Sequence, residues 1–145
     1  MPSVLSKGKS AKLLKVFCDS LTKPLPDTKS GKRIRLLVMF AFLIIYSRLI
    51  KLNVIVTDFD RTAEEQLIKF KAGNSLCDGS RKKSKHQSWH AIDILILGPA
   101  MRAQWPRTAG YDRLGAFWIS IGGTYGATWY DEGKIKFDDC YHFQI

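Results

Sequence analysis

The most constraining feature of this chain is a carboxylate in unfavourable surroundings. Asp93 stands in Ala91-Ile92-Asp93-Ile94-Leu95-Ile96-Leu97, where every other residue is apolar. The run reads as a strand. A carboxylate enclosed there without a partner would cost on the order of several kcal/mol. Any fold built around this strand must bring a cation to Asp93, and a metal ion or an arginine would serve.

His86 lies seven residues before Asp93, at the end of a polar loop, and His142 lies near the C-terminus in Asp139-Cys140-Tyr141-His142-Phe143. Two histidines and one carboxylate with an open fourth position make a catalytic rather than a structural zinc set. On spacing alone, a histidine beside an apolar strand is more often a hydrogen-bonded core residue than a ligand, so both readings stand here. His86 and His90 share the i, i+4 spacing of the helical H-E-x-x-H zinc motif. Gln87 occupies the general-base position and cannot act as one, and a segment ahead of a β-rich run is a poor helix. That motif is rejected.

The surrounding pattern predicts a helix over 34–52, a strand over 53–59 and a helix from Thr62 to about Lys71. Thr62-Ala63-Glu64-Glu65 has the form of a capping box. A polar loop over 72–88 contains the basic cluster Arg81-Lys82-Lys83-Ser84-Lys85. After the Asp93 strand, 98–111 reads as a loop and 114–121 as a helix ended by Gly122-Gly123. Short strands are expected at 135–137 and 141–145, and a short helix at 11–21. This mixed order of elements indicates an α+β chain rather than a regular βαβ wind.

With 145 residues the chain suits one domain with a modest core. Residues 1–33 form a basic arm, and 34–145 the domain. The most apolar run, 36–46, is shorter than the roughly 20 residues a membrane span needs, so a buried helix is expected there and no stable span. The net charge of +10 points to an acidic or polyanionic partner. Cys18, Cys77 and Cys140 are odd in number and far apart, which argues against a disulfide framework or a zinc ribbon.

Four segments resemble one family. Ser84-Lys85-His86-Gln87-Ser88-Trp89-His90-Ala91-Ile92-Asp93 resembles S-x-H-x-x-G-x-A-x-D of the D-alanyl-D-alanine carboxypeptidase family, which includes vancomycin-resistance dipeptidases and many phage endolysins. Asp139 to Phe143 resembles its second motif, an acidic residue three before the last zinc ligand. Phe59-Asp60-Arg61-Thr62-Ala63-Glu64-Glu65-Gln66 resembles its Y-R-T-x-E-E-Q segment, and Gly122-Gly123-Thr124-Tyr125 its W-G-G-D-W stretch. The segments fall in the family's order across residues 34–145. Within the family, the segments resemble the short phage endolysins that cut between L-alanine and D-glutamate.

The resemblance implies a Hedgehog/DD-peptidase fold, a mostly antiparallel sheet covered by helices. It implies a zinc ion on His86, Asp93 and His142, with Asp139 as the catalytic acid–base residue. Arg61 would stabilise an oxyanion or hold a substrate carboxylate. Ser84 would order the loop beside the substrate, and Tyr125 and Trp129 would line the cleft. The implied substrate is bacterial peptidoglycan, cut by a monomer made in the cytoplasm without a clear signal peptide. A signal-anchor at 36–50 is the minority alternative. No nucleic-acid motif accompanies the basic cluster, so nucleic acid is not the expected partner. Trp89 stands where the family has glycine, which implies a rebuilt loop or local strain and leaves a catalytically inactive relative as the main rival.

Overall fold

The computed structural model describes residues 24–145. The expected helix at 11–21 lies outside the described residues. Helix α1 spans Lys29–Leu49, earlier than the sequence pattern places it. Thr28 is the reason: its backbone is extended and its Oγ1 accepts the Gly31 N–H at 3.1 Å, satisfying one of the free donors of the first turn. Residues 29–33, assigned above to the basic arm, therefore belong to α1.

Strand β1 (Asn53–Asp58) follows, then helix α2 (Ala63–Lys71), opened by the expected capping box of Thr62 and Glu65. A 3-10 turn at Lys85–Ser88 leads into β2 (Ala91–Leu97). Helix α3 (Ala109–Ser120) begins ahead of the expected 114 and ends at Gly122, whose φ of +93° suits glycine. Strand β3 (Thr124–Tyr125), helix α4 (Ala127–Asp131) and strand β4 (His142–Gln144) complete the chain. The expected strand at 135–137 is absent, and those residues form bends leading to β4. A run of three apolar-leaning residues carries too little pattern to distinguish a strand from a bend.

The four strands form one antiparallel sheet in the order β1-β2-β4-β3. The apolar strand β2 is central, paired along its length with β1 and at its start with β4. Its Ile92, Ile94 and Ile96 enter the core with Leu36, Met39 and Leu43 of α1 and Tyr111, Leu114 and Trp118 of α3. The Tyr111 hydroxyl accepts the Ile96 N–H at 3.1 Å, which fixes α3 to the sheet. Tyr46 stacks on Phe117 with ring centroids 4.2 Å apart, joining α1 to α3. Gly115 lets α3 approach β3 closely, because a Cβ there would stand 2.2 Å from the Tyr125 ring.

The apolar run 36–46 is helical but not wholly buried, which corrects the expectation. Leu36, Met39 and Leu43 face the core, while Leu37 and Ile45 are 51% and 53% exposed. Among the described residues, no helix is long and apolar enough to cross a membrane. The one-sided burial gives a test. Leu43→Ala should destabilise by about 2–5 kcal/mol and Ile45→Ala by less than about 1 kcal/mol. Equal losses in denaturant titrations would show that both faces of α1 are covered in solution.

Candidate metal centre

Each arm of the site is set by local structure. His86 lies in the 3-10 turn, whose N-terminus is a capping box: the Ser84 hydroxyl accepts the His86 N–H at 3.3 Å, and Gln87 Oε1 accepts the Ser84 N–H at 2.9 Å. Asp93 projects from β2, and His142 opens β4 directly opposite it in the antiparallel register. Gly126 allows the chain before β4 to pass close by, since a Cβ there would lie 2.3 Å from the Asp139 carbonyl oxygen.

The result is a small triangle. His86 Nε2 stands 3.1 Å from Asp93 Oδ1 and 3.1 Å from His142 Nδ1, and His142 Nδ1 stands 2.9 Å from Asp93 Oδ1. All three residues are buried. Donors held at ordinary zinc distances on a tetrahedral ion are about 3.3 Å apart, so this triangle needs only a slight expansion to hold one. No placement of protons satisfies all three edges, whereas one cation at the centre does. Among the described residues this is the only cluster of at least three such groups able to hold a metal.

Asp93 was expected to need a metal or an arginine, and the structure provides for both. While Oδ1 faces the histidines, Oδ2 faces Arg61 Nη2 at 3.4 Å. Arg61 also donates to Asp58 Oδ2 from Nε at 3.1 Å and to Gln66 Oε1 from Nη1 at 2.7 Å. Burial disfavours the charged form of Asp93, but hydrogen bonds from His142 and His86 outweigh it and hold the carboxyl far below the usual range. Burial likewise opposes the His142 imidazolium, yet the hydrogen bond and charge of Asp93 raise its pKa. The metal-free site is thus organised as an ion pair. Burial pushes the Asp139 carboxyl up, against the attraction of His142.

The other sequence candidates divide. Trp129 sits at the site, its ring 5.6 Å from that of His142. Tyr125 does not: it is buried in the core against Phe143, ring centroids 5.2 Å apart, which corrects its placement in a substrate cleft. The Ser84 hydroxyl caps the His86 turn, and no substrate contact is needed to explain it. Arg61 is buried with donors turned to Asp58, Gln66 and Asp93, so its charge bears on the site through Asp93. Two residues at the site carried no sequence signal. Gln144 Oε1 lies 3.1 Å from His142 Nε2, and Asp58 Oδ1 lies 3.7 Å from His86 Nδ1.

Trp89 keeps the backbone that glycine favours, with φ 60° and ψ 41°. Its ring is nevertheless packed, 5.5 Å from Phe59 and under the Arg33 guanidinium at 5.0 Å, and it remains 38% exposed. The left-handed conformation is thus held with a tryptophan in place. Side-chain packing compensates a left-handed residue that costs about 1–2 kcal/mol. Trp89→Ala, which loses the packing and keeps the strain, should be less stable than Trp89→Gly by about 1 kcal/mol. Equal melting temperatures for the two variants would show that the left-handed conformation is not held in solution.

The ion pair sets a pH dependence for the metal-free protein. His142, raised above its reference 6.5, contributes stability that is full below that value and lost as pH rises through the folded pKa. Asp93, depressed below its reference 3.8, contributes stability present above that value and lost as pH falls through the folded pKa. The melting temperature in chelator should peak between about pH 4 and 6.5 and fall on the alkaline side. A zinc-saturated sample should not show the alkaline fall, because the ion replaces the proton that His142 gives up.

No protein-family model and no curated protein sequence matches the chain. Solved structures do. The L-Ala D-Glu endopeptidase ChiX of Serratia marcescens aligns with a TM-score of 0.58 at 20% identity, covering 77% of this chain and 77% of that one. The vancomycin-resistance D,D-pentapeptidase VanY, in complex with Zn(II), aligns with a TM-score of 0.52 at 17% identity, over 77% of this chain and 70% of that one. The LD-carboxypeptidase LdcB aligns with a TM-score of 0.50 at 16% identity, over 75% of this chain and 56% of that one. These likenesses establish architecture: the α+β chain built around Asp93 has the fold of these three peptidases.

Proposed function

We propose that this chain is a zinc-dependent hydrolase of peptide bonds in bacterial peptidoglycan, with a Hedgehog/DD-peptidase fold. Its substrate bond would be of the L-alanyl-D-glutamate endopeptidase or D-Ala-D-Ala carboxypeptidase type, as in phage endolysins. The observation that carries the reading is the buried His86–Asp93–His142 triangle, in a fold shared with ChiX, VanY and LdcB. In this reading His86 Nε2, Asp93 Oδ1 and His142 Nδ1 would hold the ion. When bound, zinc supplies a Lewis acid that polarises the scissile carbonyl and lowers the pKa of water.

The chain's own residues do the rest. Asp139 precedes His142 in the turn that enters β4, and its raised pKa suits a group that must both take and return a proton near neutral pH. It would accept the proton of the attacking water and deliver it to the leaving amine. Arg61 fixes the outer oxygen of Asp93 and so sets the direction of the ligand oxygen. Trp129, beside His142, is the aromatic residue placed to border the substrate. The net charge of +10 would favour encounter with anionic wall polymers. In this reading the peptidase domain is 34–145, extended by the first turn of α1 from Lys29, and it would act on the wall as a monomer.

Purified peptidoglycan incubated with the protein should release peptide fragments, identified by mass, and a chelator should abolish the release. Asp139→Asn should retain one zinc per chain and lose at least about 10²-fold in rate. Undiminished hydrolysis by Asp139→Asn would remove that residue from the mechanism. A zinc-replete wild-type protein that cuts no wall bond would instead identify an inactive, wall-binding relative.

A further inference from the structure

A histidine that gives one ring nitrogen to a metal must carry its proton on the other. In a buried site that second N–H needs an acceptor, because an unsatisfied buried donor is costly and an acceptor also fixes the ring. The two histidines here point opposite nitrogens at the triangle. His86 offers Nε2 and His142 offers Nδ1. The proton-bearing positions are therefore Nδ1 of His86 and Nε2 of His142, and the two rings need opposite tautomers.

The acceptors differ as well. The His142 Nε2–H meets Gln144 Oε1 at 3.1 Å. Gln144 stands two residues along β4, so its side chain leaves the strand on the same face as His142. Its backbone is held independently, paired with Ala91 of β2 and Thr124 of β3, and its carbonyl accepts the Trp118 Nε1–H at 3.0 Å. The backbone that carries the acceptor is thus fixed by the sheet and not by the histidine. On the other ring, His86 Nδ1 is buried and has no hydrogen-bond partner. The nearby carboxylate oxygen is Asp58 Oδ1 at 3.7 Å, slightly too far for a hydrogen bond. The other oxygen of Asp58 is held by Arg61 and by Lys69 Nζ at 2.9 Å, so the carboxylate is already oriented.

We propose that Gln144 and Asp58 are the positioning residues of the two histidine ligands, Gln144 accepting the His142 Nε2–H and Asp58 the His86 Nδ1–H once zinc is bound. The proposal rests on the zinc reading above. Gln144 holds its ring before the ion arrives. Asp58 Oδ1, 3.7 Å away, would be the acceptor for the proton that His86 Nδ1 must carry when Nε2 is given to zinc. The two acceptors give His142 a neutral partner and His86 a charged one. The sheet thereby presets one ligand, and the Asp58–Arg61 pair couples the other to the orientation of Asp93.

The test uses the full chain and zinc alone. Zinc affinity is measured by competition with a chromophoric chelator for wild type, Gln144→Leu and Gln144→Glu. Leucine keeps the size and removes the acceptor, and glutamate keeps an acceptor. Gln144→Leu should bind zinc about 10- to 100-fold more weakly, while Gln144→Glu should bind at least as tightly as wild type. In ¹⁵N-resolved spectra of the zinc-loaded wild type, both ring N–H protons should be visible and slow to exchange. The His142 signal should be lost selectively in Gln144→Leu, and the His86 signal in Asp58→Ala. Asp58 also anchors Arg61 and Lys69, so Asp58→Ala puts folding at risk. The exchange rate of the His86 ring proton in the wild type then decides its part, and a fast-exchanging proton overturns it. Zinc affinity and a His142 ring proton unchanged in Gln144→Leu would overturn the role of Gln144. A wild-type chain that binds no zinc would overturn the metal reading itself, a different outcome from either.

Discussion

The structure turns on one carboxylate with little access to water. Asp93 sits in the central strand among isoleucines that form the core, so in the metal-free chain protein groups must balance its charge. Oδ1 takes the two histidines and Oδ2 takes Arg61. Arg61 is buried too and needs its own partners, which Asp58 and Gln66 provide. Gln66 in turn donates to Ser75 Oγ and the Cys77 carbonyl, tying the polar loop after α2 to the same network. From Asp93 through Arg61 and Gln66 each buried group finds its partner in the next, and among the ring nitrogens of the triangle only His86 Nδ1 is left without one. Removing one member leaves its neighbour buried and unpaired, which costs more than the lost bond itself.

Register carries this chemistry into geometry. Strand β4 is three residues long, yet pairing on both of its edges places His142 opposite Asp93. A slip of one residue would turn His142 to the other face. On the opposite edge of β2, the pairing advances from Val56↔Ile94 to Asp58↔Asp93, two residues on β1 for one on β2. This irregularity makes Asp58 the cross-strand neighbour of Asp93, and neighbours of that kind share a face. In an unbroken register Thr57 would face Asp93 and Asp58 would lie beyond reach of His86. The bulge thus brings a second carboxylate to the site, and Arg61 and Lys69 balance it.

That difference marks what the sequence could disclose. The strand around Asp93 was legible because one polar residue in an apolar run is an anomaly with a limited set of remedies. The Thr62 capping box was legible because its chemistry is local. His142 was identifiable only through its motif, since nothing local tells a ligand from a core histidine. Asp58 and Gln144 were not legible at all. Their roles depend on a bulge and on pairing between segments far apart in sequence, and no period records either. Tyr125 was misplaced for the opposite reason: an aromatic residue beside a glycine pair suits a cleft or a core equally, and the close approach of Gly115 decides for the core.

Trp89 shows how a bulky residue can be accommodated at a left-handed position. The left-handed backbone at this position lets the chain leave the His86 turn and enter β2 within two residues. A Cβ makes that conformation costly, but the cost is confined to one residue. The ring that creates it also recovers part of it, by packing on Phe59 and by the cation–π contact with Arg33, worth about 0.5–1 kcal/mol at an exposed site. Arg33 Nε also donates to the Ser88 carbonyl at 3.2 Å, so the first turns of α1 hold the ligand loop at two adjacent points. Helix α1 is itself fixed in the core through Leu36, Met39 and Leu43. The substitution therefore exchanges backbone ease for an anchor between the core helix and the loop that bears His86. Because the turn conformation and its cap are intact, Trp89 by itself gives no physical reason for the metal triangle to fail.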